Sequence, residues 1–393
     1  MNRIKFLFLS LAPLTVAAAD FDSAVDALVA NNLGLKVETA RAEASVESIK
    51  AENILAGPEV EFSRVWGTTA EFGNKWGLSV SQGFDWPGLY KARSEAARTA
   101  STAMQYLREA NLLDARRDAR VLLIDYIHNY QILSLQREIA TNIDSMVVYY
   151  RDAAEAGLET RIDYNKTVLE RIAVHRELHN LEAAQEAIIA QLQDFNAGLD
   201  VQPILEGIGD SYPDMEPMRL SVALSVMRER DPRYAAALAQ ANAAESLVKV
   251  DRLSAFPGFS IGFEHETEGD EHFNGFSIGI TLPSWGGRRH SAKAARLEAE
   301  AALTDAEIAL HQRKASLVTD NNLIDSYRKV IEEYEPVVKD KSHYELLHKA
   351  LKAGQITFLT YIEELNYFIA AHRDYLDVLY EYNLAIARTK YYD

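Results

Sequence analysis

Two stretches of strict alternation constrain this chain more than anything else in it. Between Pro257 and Pro283, Phe259, Ile261 and Phe263 alternate with Gly258, Ser260, Gly262 and Glu264. Further on, Phe276, Ile278, Ile280 and Leu282 alternate with Gly275, Ser277, Gly279 and Thr281. A period of two predicts two strands of a hairpin with one apolar face and one small or polar face. A soluble sheet buries such an apolar face under a layer of its own. The same face suits lipid, and the Gly/Ser/Thr face suits a water-filled lumen. Strands of about 9–11 residues cross a bilayer when tilted, and both arms fit that length.

The pattern occurs twice. Val60, Phe62, Arg64 and Trp66 alternate with Glu59, Glu61, Ser63 and Val65, and Trp76, Leu78, Val80 and Phe84 with Lys75, Gly77, Ser79 and Ser81. Arg64 on the apolar side is expected to sit at a membrane interface and snorkel. Around the hairpins the chain reads as helix. Asp20–Asn32 and Leu35–Leu55 precede the first, and Leu89–Ala156 follows it without a single Gly or Pro, enough for a helix of roughly 100 Å. Ala156-Gly157-Leu158 ends that run, since Gly supplies the left-handed turn that closes a helix. A return helix over about 161–195 follows. After a Gly- and Pro-bearing linker at 197–217, the same order returns over 218–393. Pro232 stands where Gly34 stood in the first copy, and a long helix over 288–352 must bend or break at Pro336. Ala353-Gly354-Gln355 is the second tip, and the last helix carries a heptad seam from Tyr361 to Ile386. The chain is expected to be two repeats, 20–196 (hairpin 58–86, tip 156–158) and 218–393 (hairpin 257–284, tip 353–355).

Composition narrows the function. Of 393 residues, 58 are acidic and 41 basic, a net charge of −17, which argues against a nucleic-acid partner. There is no Cys, so thiol catalysis, disulfides and thiolate metal sites are excluded. Residues 1–19 read as a secretory leader, with Arg3 and Lys5 before an apolar run and Ala17-Ala18-Ala19 before the cut. No nucleophile triad or phosphate loop is present, so no enzyme and no cofactor are expected. Four membrane-length strands cannot close a barrel, and an open strand edge is not tolerated in lipid. The protomer must therefore oligomerise. Eight strands give an interior filled by side chains, and 12 can leave an aqueous channel.

With that order laid out, the mature sequence resembles the TolC-like outer-membrane efflux proteins, the outer channels of tripartite efflux and type I secretion systems. The resemblance rests on the leader, the duplicated helix-hairpin-helix unit, and the strand exits Trp86-Pro87-Gly88 and Trp285-Gly286-Gly287. It rests also on the two Ala-Gly tips and the closing AGQITFLTYIEELNYFIAAHRDYLDVLYEYNLAIA. It implies a mainly α fold, a long antiparallel α-helical barrel plus four β-strands per protomer, completing a 12-stranded barrel in a homotrimer. It implies a site in the outer membrane of a Gram-negative bacterium, in contact with outer-membrane lipid, and extension into the periplasm. Its expected partners are a periplasmic adaptor (a membrane fusion protein) and an inner-membrane pump of RND or ABC type. The duct would be passive and gated at its periplasmic tip. Ducts for polypeptide secretion share this pattern, and a non-membrane periplasmic coiled-coil scaffold or adaptor is the rival of another class.

The resemblance also places candidate sites. Acidic residues just after the tips would ring the narrow periplasmic entrance: Asp163 in the first repeat and Glu363, with Glu364 beside it, in the second. Thr360 stands where an acid matching Asp163 would be. Three-fold rings of carboxylates favour cations. The tip residues Ala156, Gly157, Leu158, Ala353, Gly354 and Gln355 would dock the adaptor. His265, Glu266, Glu268, Asp270, Glu271 and His272 crowd the second hairpin loop, and His175 and His179 share a helix face. Both groups have metal-ligand chemistry, but each reads as a solvated surface, and no metal site is expected.

Overall fold

The computed structural model describes residues 21–390 except 52, 68–72, 283–284, 340–345, 348 and 352. The leader expected over 1–19 and the strand exit at Ser284 lie outside the described residues. Thirteen elements can be followed: helices α1 (Phe21–Asn31) and α2 (Leu33–Ala51), strands β1 (Glu59–Val65) and β2 (Lys75–Phe84), α3 (Pro87–Glu155), α4 (Arg161–Phe195), α5 (Gln202–Ile208), α6 (Leu220–Arg230), α7 (Pro232–Leu253), β3 (Gly258–Glu268), β4 (Glu271–Thr281), α8 (Trp285–Val338) and α9 (Phe358–Thr389).

The duplication is written in the helix ends. Asn32 accepts the Leu35 N–H at 2.8 Å, and Asp231 accepts those of Arg233 and Tyr234 at 2.9 and 3.0 Å. These side chains satisfy the orphan donors that open α2 and α7. Asn32 and Asp231 are therefore the matched positions, and Pro232 matches Leu33 rather than Gly34. Both tips close alike. Leu158 N–H reaches back to Ala153 O at 2.9 Å, and Gln355 N–H to Ala350 O at 2.9 Å, over Gly157 at φ +73° and Gly354 at φ +67°. That is the left-handed Schellman ending, in which a Cβ would be strained.

Helix α3 is 69 residues long, roughly 100 Å, and is the spine of the molecule. Near the sheet it packs along α7. Ala92, Ala96, Ala100 and Ala103 of α3 and Ala236, Ala239 and Ala241 of α7 are buried there, and such small side chains let two axes come close. At mid-length Leu123, Ile124 and Ile127 enter the main core with Leu28, Leu192, Ile324 and Ile386. Beyond it α3 packs on α4 and α9, where Ile143, Met146, Tyr150, Tyr361 and Leu365 form a second core toward the tips.

One expected stretch differs, and another breaks where its proline requires it. The linker over 197–217 contains α5, and Val201, Leu205 and Met215 are buried, all three in the main core. Pro203 opens this short helix and Gly209 closes it. The second long helix does not run continuously to residue 352. It ends at Val338, two residues past Pro336, and helix is described again only from 346. Proline lacks the N–H that continues the ladder, and α3, with no proline at that level, runs on to its tip.

Candidate functional site

All four strands form one antiparallel sheet in the order β1-β2-β3-β4. Its register sorts side chains by chemistry. Phe62, Leu78, His265 and Asn274 lie in one cross-strand row, and Val60, Val80, Phe263 and Phe276 in the next. Ile261 with Ile278 and Phe259 with Ile280 continue the same face. The opposite face carries Glu61, Ser79 and Glu264 in one row and Ser81, Gly262 and Ser277 in the next, with Val65 and Phe273 as its larger apolar exceptions. The glycines there are needed by their neighbours. A Cβ at Gly262 would come within 2.5 Å of Ser277 Oγ, and one at Gly279 within 2.3 Å of Ser260 Oγ. The apolar face is open: Phe276 is 86% and Ile278 83% exposed. So large a contiguous apolar surface requires lipid or protein against it.

Aromatic rings bound this face. Trp76 meets His265 edge-on at one end, and Trp86 stacks on Phe256 at 5.2 Å at the other. Trp86 lies ten positions beyond Trp76, two past the end of β2, which in extended chain is roughly 33 Å and roughly 23 Å of height at a 45° tilt. That is close to the ~25 Å apolar band, girdled by aromatics, of a transmembrane barrel. Arg64, the one lysine or arginine on the apolar face among the described strand residues, lies in the outermost row and stacks over Trp66 at 5.7 Å. The acidic stretch of the second hairpin is not a loop. Strands β3 and β4 stay paired to Glu268↔Glu271, leaving only Gly269 and Asp270 to turn. Gly269, at φ +59°, supplies the positive φ that such a two-residue turn requires.

At the other end Asp163, expected at the gate, also takes part in a helix cap. Asp163 Oδ2 receives the Thr160 hydroxyl at 2.5 Å, Thr160 Oγ1 receives the Asp163 N–H at 3.1 Å, and Lys166 sits 3.6 Å from Asp163. Thr357 and Thr360 repeat the cap, with the Thr360 N–H on Thr357 Oγ1 at 3.2 Å. Asp163 and Thr360 are thus matched capping positions, and a threonine fills that role where an acid was expected. The Thr-x-x-Asp and Thr-x-x-Thr spacings were the sequence signal for it. Glu363 and Glu364 are exposed one turn later. Of the tip residues, Leu158 is 80% exposed, an apolar side chain at the extremity of the molecule.

Sequence reasoning missed the bonds that hold α9 to α3 and α4. Tyr361 OH accepts from Asn142 Nδ2 at 2.9 Å. Arg373 donates to Gln136 Oε1 at 2.6 Å and lies 3.7 Å from Glu177, while Gln136 donates to Val174 O. Pairing across three helices leaves no mark in linear spacing. The expected histidines also resolve. His175 is not simply solvated, because its Nε2 contacts Asp144 Oδ1 at 3.0 Å, and Arg171 joins the same oxygen at 2.5 Å. Burial pulls the Asp144 carboxyl up, but hydrogen bonds from Arg171 and His175 outweigh it and hold it below its usual range. His179 turns to Glu182 instead. His265 pairs with Asn274 at 2.8 Å and stacks on His272. Among the described residues no cluster of His and carboxylates can hold a metal. Among the same residues no helix is long and apolar enough to cross a membrane.

Comparison with known proteins reads on this geometry. The chain superposes on a membrane protein from Pseudomonas aeruginosa with a TM-score of 0.77 at 16% identity, over 95% of this chain and 90% of the other. It superposes on the outer membrane channel CmeC of Campylobacter jejuni with a TM-score of 0.74 at 16% identity, over 94% and 84%. For the outer membrane protein VceC of Vibrio cholerae the values are 0.74, 13%, 93% and 94%. The fold is that of the TolC-like outer-membrane channels. No protein-family model and no curated protein sequence matches the chain. The superpositions run along nearly the whole chain.

Proposed function

We propose that the protein is a passive outer-membrane duct, a homotrimer whose 12 strands close a barrel in lipid and whose helices extend it through the periplasm to a gated tip. The observation that carries this reading is incompleteness. Among the described residues β1 and β4 each have a strand on one side only. Helix α7 lies between α3 and α8, whereas among the described residues its repeat partner α2 packs chiefly on α3, with Leu33 and Val37 exposed. The missing neighbour of α2 corresponds by the repeat to α8, whose Leu297, Leu303 and Ile308 are exposed. A second copy placing its α2 against α8 and its β1 against β4 satisfies both edges, keeps the strands antiparallel, and propagates until the ring closes. The polar Gly/Ser/Glu face then lines the lumen and the apolar face meets lipid.

An exposed Leu158 and two Schellman turns suit docking by a helical adaptor fed by an inner-membrane pump. Asp163, Glu363 and Glu364 on the segments just past the tips suit a cation-favouring entrance. The test is the mass of the detergent-purified chain. Three copies per particle are expected. A monomer that stays soluble without detergent would overturn the proposal.

A further inference from the structure

The two faces of the sheet differ in charge as well as in polarity. Glu59, Glu61, Glu264, Glu266, Glu268 and Glu271 all fall on the polar face by register. The apolar face carries no carboxylate in the described strands. Its outer two rows hold a different set. Arg64, Trp76, Thr267 and His272 form the outermost row, and His265 and Asn274 end the row beneath it. These groups are tied together: Trp76 and His265 rings are 5.4 Å apart, His265 and His272 rings 6.0 Å, and His265 Nδ1 reaches Asn274 Oδ1 at 2.8 Å. Thr267 is 5% exposed, and among the described residues its hydroxyl has no hydrogen-bond partner. The Arg64 side chain is exposed and reaches no carboxylate among the described ion pairs.

We infer that these outer rows form a binding surface for phosphate-bearing lipid headgroups of the outer leaflet. The inference rests on the membrane reading of the sheet proposed above. Where the apolar band ends, a lipid-facing surface meets headgroups. A guanidinium recognises phosphate by paired N–H donors, and the His272 imidazole and Trp76 indole N–H groups add donors to the same layer, while His265 Nδ1–H is held by Asn274 Oδ1. Strands about 4.8 Å apart put Arg64 and His272 roughly 14 Å from each other, so the row spans more than one phosphate. Sorting every glutamate to the other face removes the repulsion an anionic headgroup would otherwise meet. The proposed function needs only apolar residues and aromatic girdles on this face. It does not require a cation and two stacked histidines.

The test uses the full chain in phosphatidylcholine vesicles containing traces of spin-labelled phosphatidic acid or spin-labelled phosphatidylcholine. Electron spin resonance reports the motionally restricted fraction of each label. The wild type is expected to restrict phosphatidic acid in preference to phosphatidylcholine. Arg64→Gln with His265→Gln and His272→Gln moves that preference toward parity. Arg64→Gln alone, an exposed change near a strand end, weakens the headgroup site about fivefold. Glu266→Gln/Glu268→Gln on the other face leaves the preference intact. Equal preference in the wild type and the triple variant would overturn the headgroup site while leaving the membrane reading standing. No restricted component for either label would instead overturn the membrane reading, and the headgroup site with it.

Discussion

A single added charge separates the two faces of the sheet. Val80 and Ser79 are neighbours on the interior strand β2, and they point to opposite faces. Val80 lies between Val60 and Phe263 in the middle apolar row, half-exposed and far from either aromatic end. Arginine there meets hydrocarbon at mid-depth and costs about 2–4 kcal/mol per copy, so about 6–12 kcal/mol for three copies. Ser79 lies between Glu61 and Glu264. Arginine at 79 gains opposite charges directly across both neighbouring strands, and it is neutral or stabilising by up to about 1 kcal/mol. Urea unfolding from phosphatidylcholine vesicles, followed by tryptophan fluorescence, reads both variants in one assay. Val80→Arg is expected to lower stability sharply or prevent insertion, and Ser79→Arg to leave it near wild type. A Val80→Arg effect within about 0.5 kcal/mol, as for a water-facing substitution, would refute the assignment of the apolar face to lipid.

Other outcomes follow from the helices. Thr160→Ala or Thr357→Ala removes a matched cap worth about 1 kcal/mol, which hydrogen exchange reads as faster exchange in the first turn of α4 or α9. Arg373→Ala strips a charge-assisted bond from the buried Gln136. That loss, about 1–3 kcal/mol, is expected to raise the resting conductance of single channels several-fold by loosening α9 from α3 and α4. His128 packs against Tyr380 and Asp377 of α9, Asp125 accepts from the same Tyr380, Tyr212 feels the charges of Asp125 and Asp377, and among the described residues His128 Nδ1 is buried without a partner. Burial lowers its pKa, more than Asp377 raises it. The unfolded chain therefore takes up the proton first, and stability contributed by neutral His128 is lost as pH falls below about 6.5. Thermal melts between pH 7 and 5 should show that slope in the wild type and a shallower one in His128→Gln.

Much of this architecture was legible because its signals are local and repeated. Alternation in Phe259–Phe263 and Phe276–Leu282 encodes the two faces, and the sorting of the cross-strand rows follows from it. Ala-Gly followed by Thr encodes each tip. What was not legible depends on distant partners. Arg373 meets Gln136 across 237 positions, and the burial of Val201 and Leu205 depends on α1 and α4 being present. The acidic run at Glu264–Glu271 looked like a loop because charge masked its alternation: the glutamates at 264, 266 and 268 keep the period of two on the polar face. The hairpin before it obeyed the same rule. Asp163 shows a second role that position alone did not reveal, since its carboxylate also closes the α4 cap with Thr160 and lies beside Lys166.

The most direct test of the duct is the reversal potential of the purified chain in a planar bilayer under a potassium chloride gradient. The account predicts discrete conductance steps and a reversal potential displaced toward cation selectivity. Protein that inserts yet carries no current, or a reversal potential displaced toward anions, would contradict it.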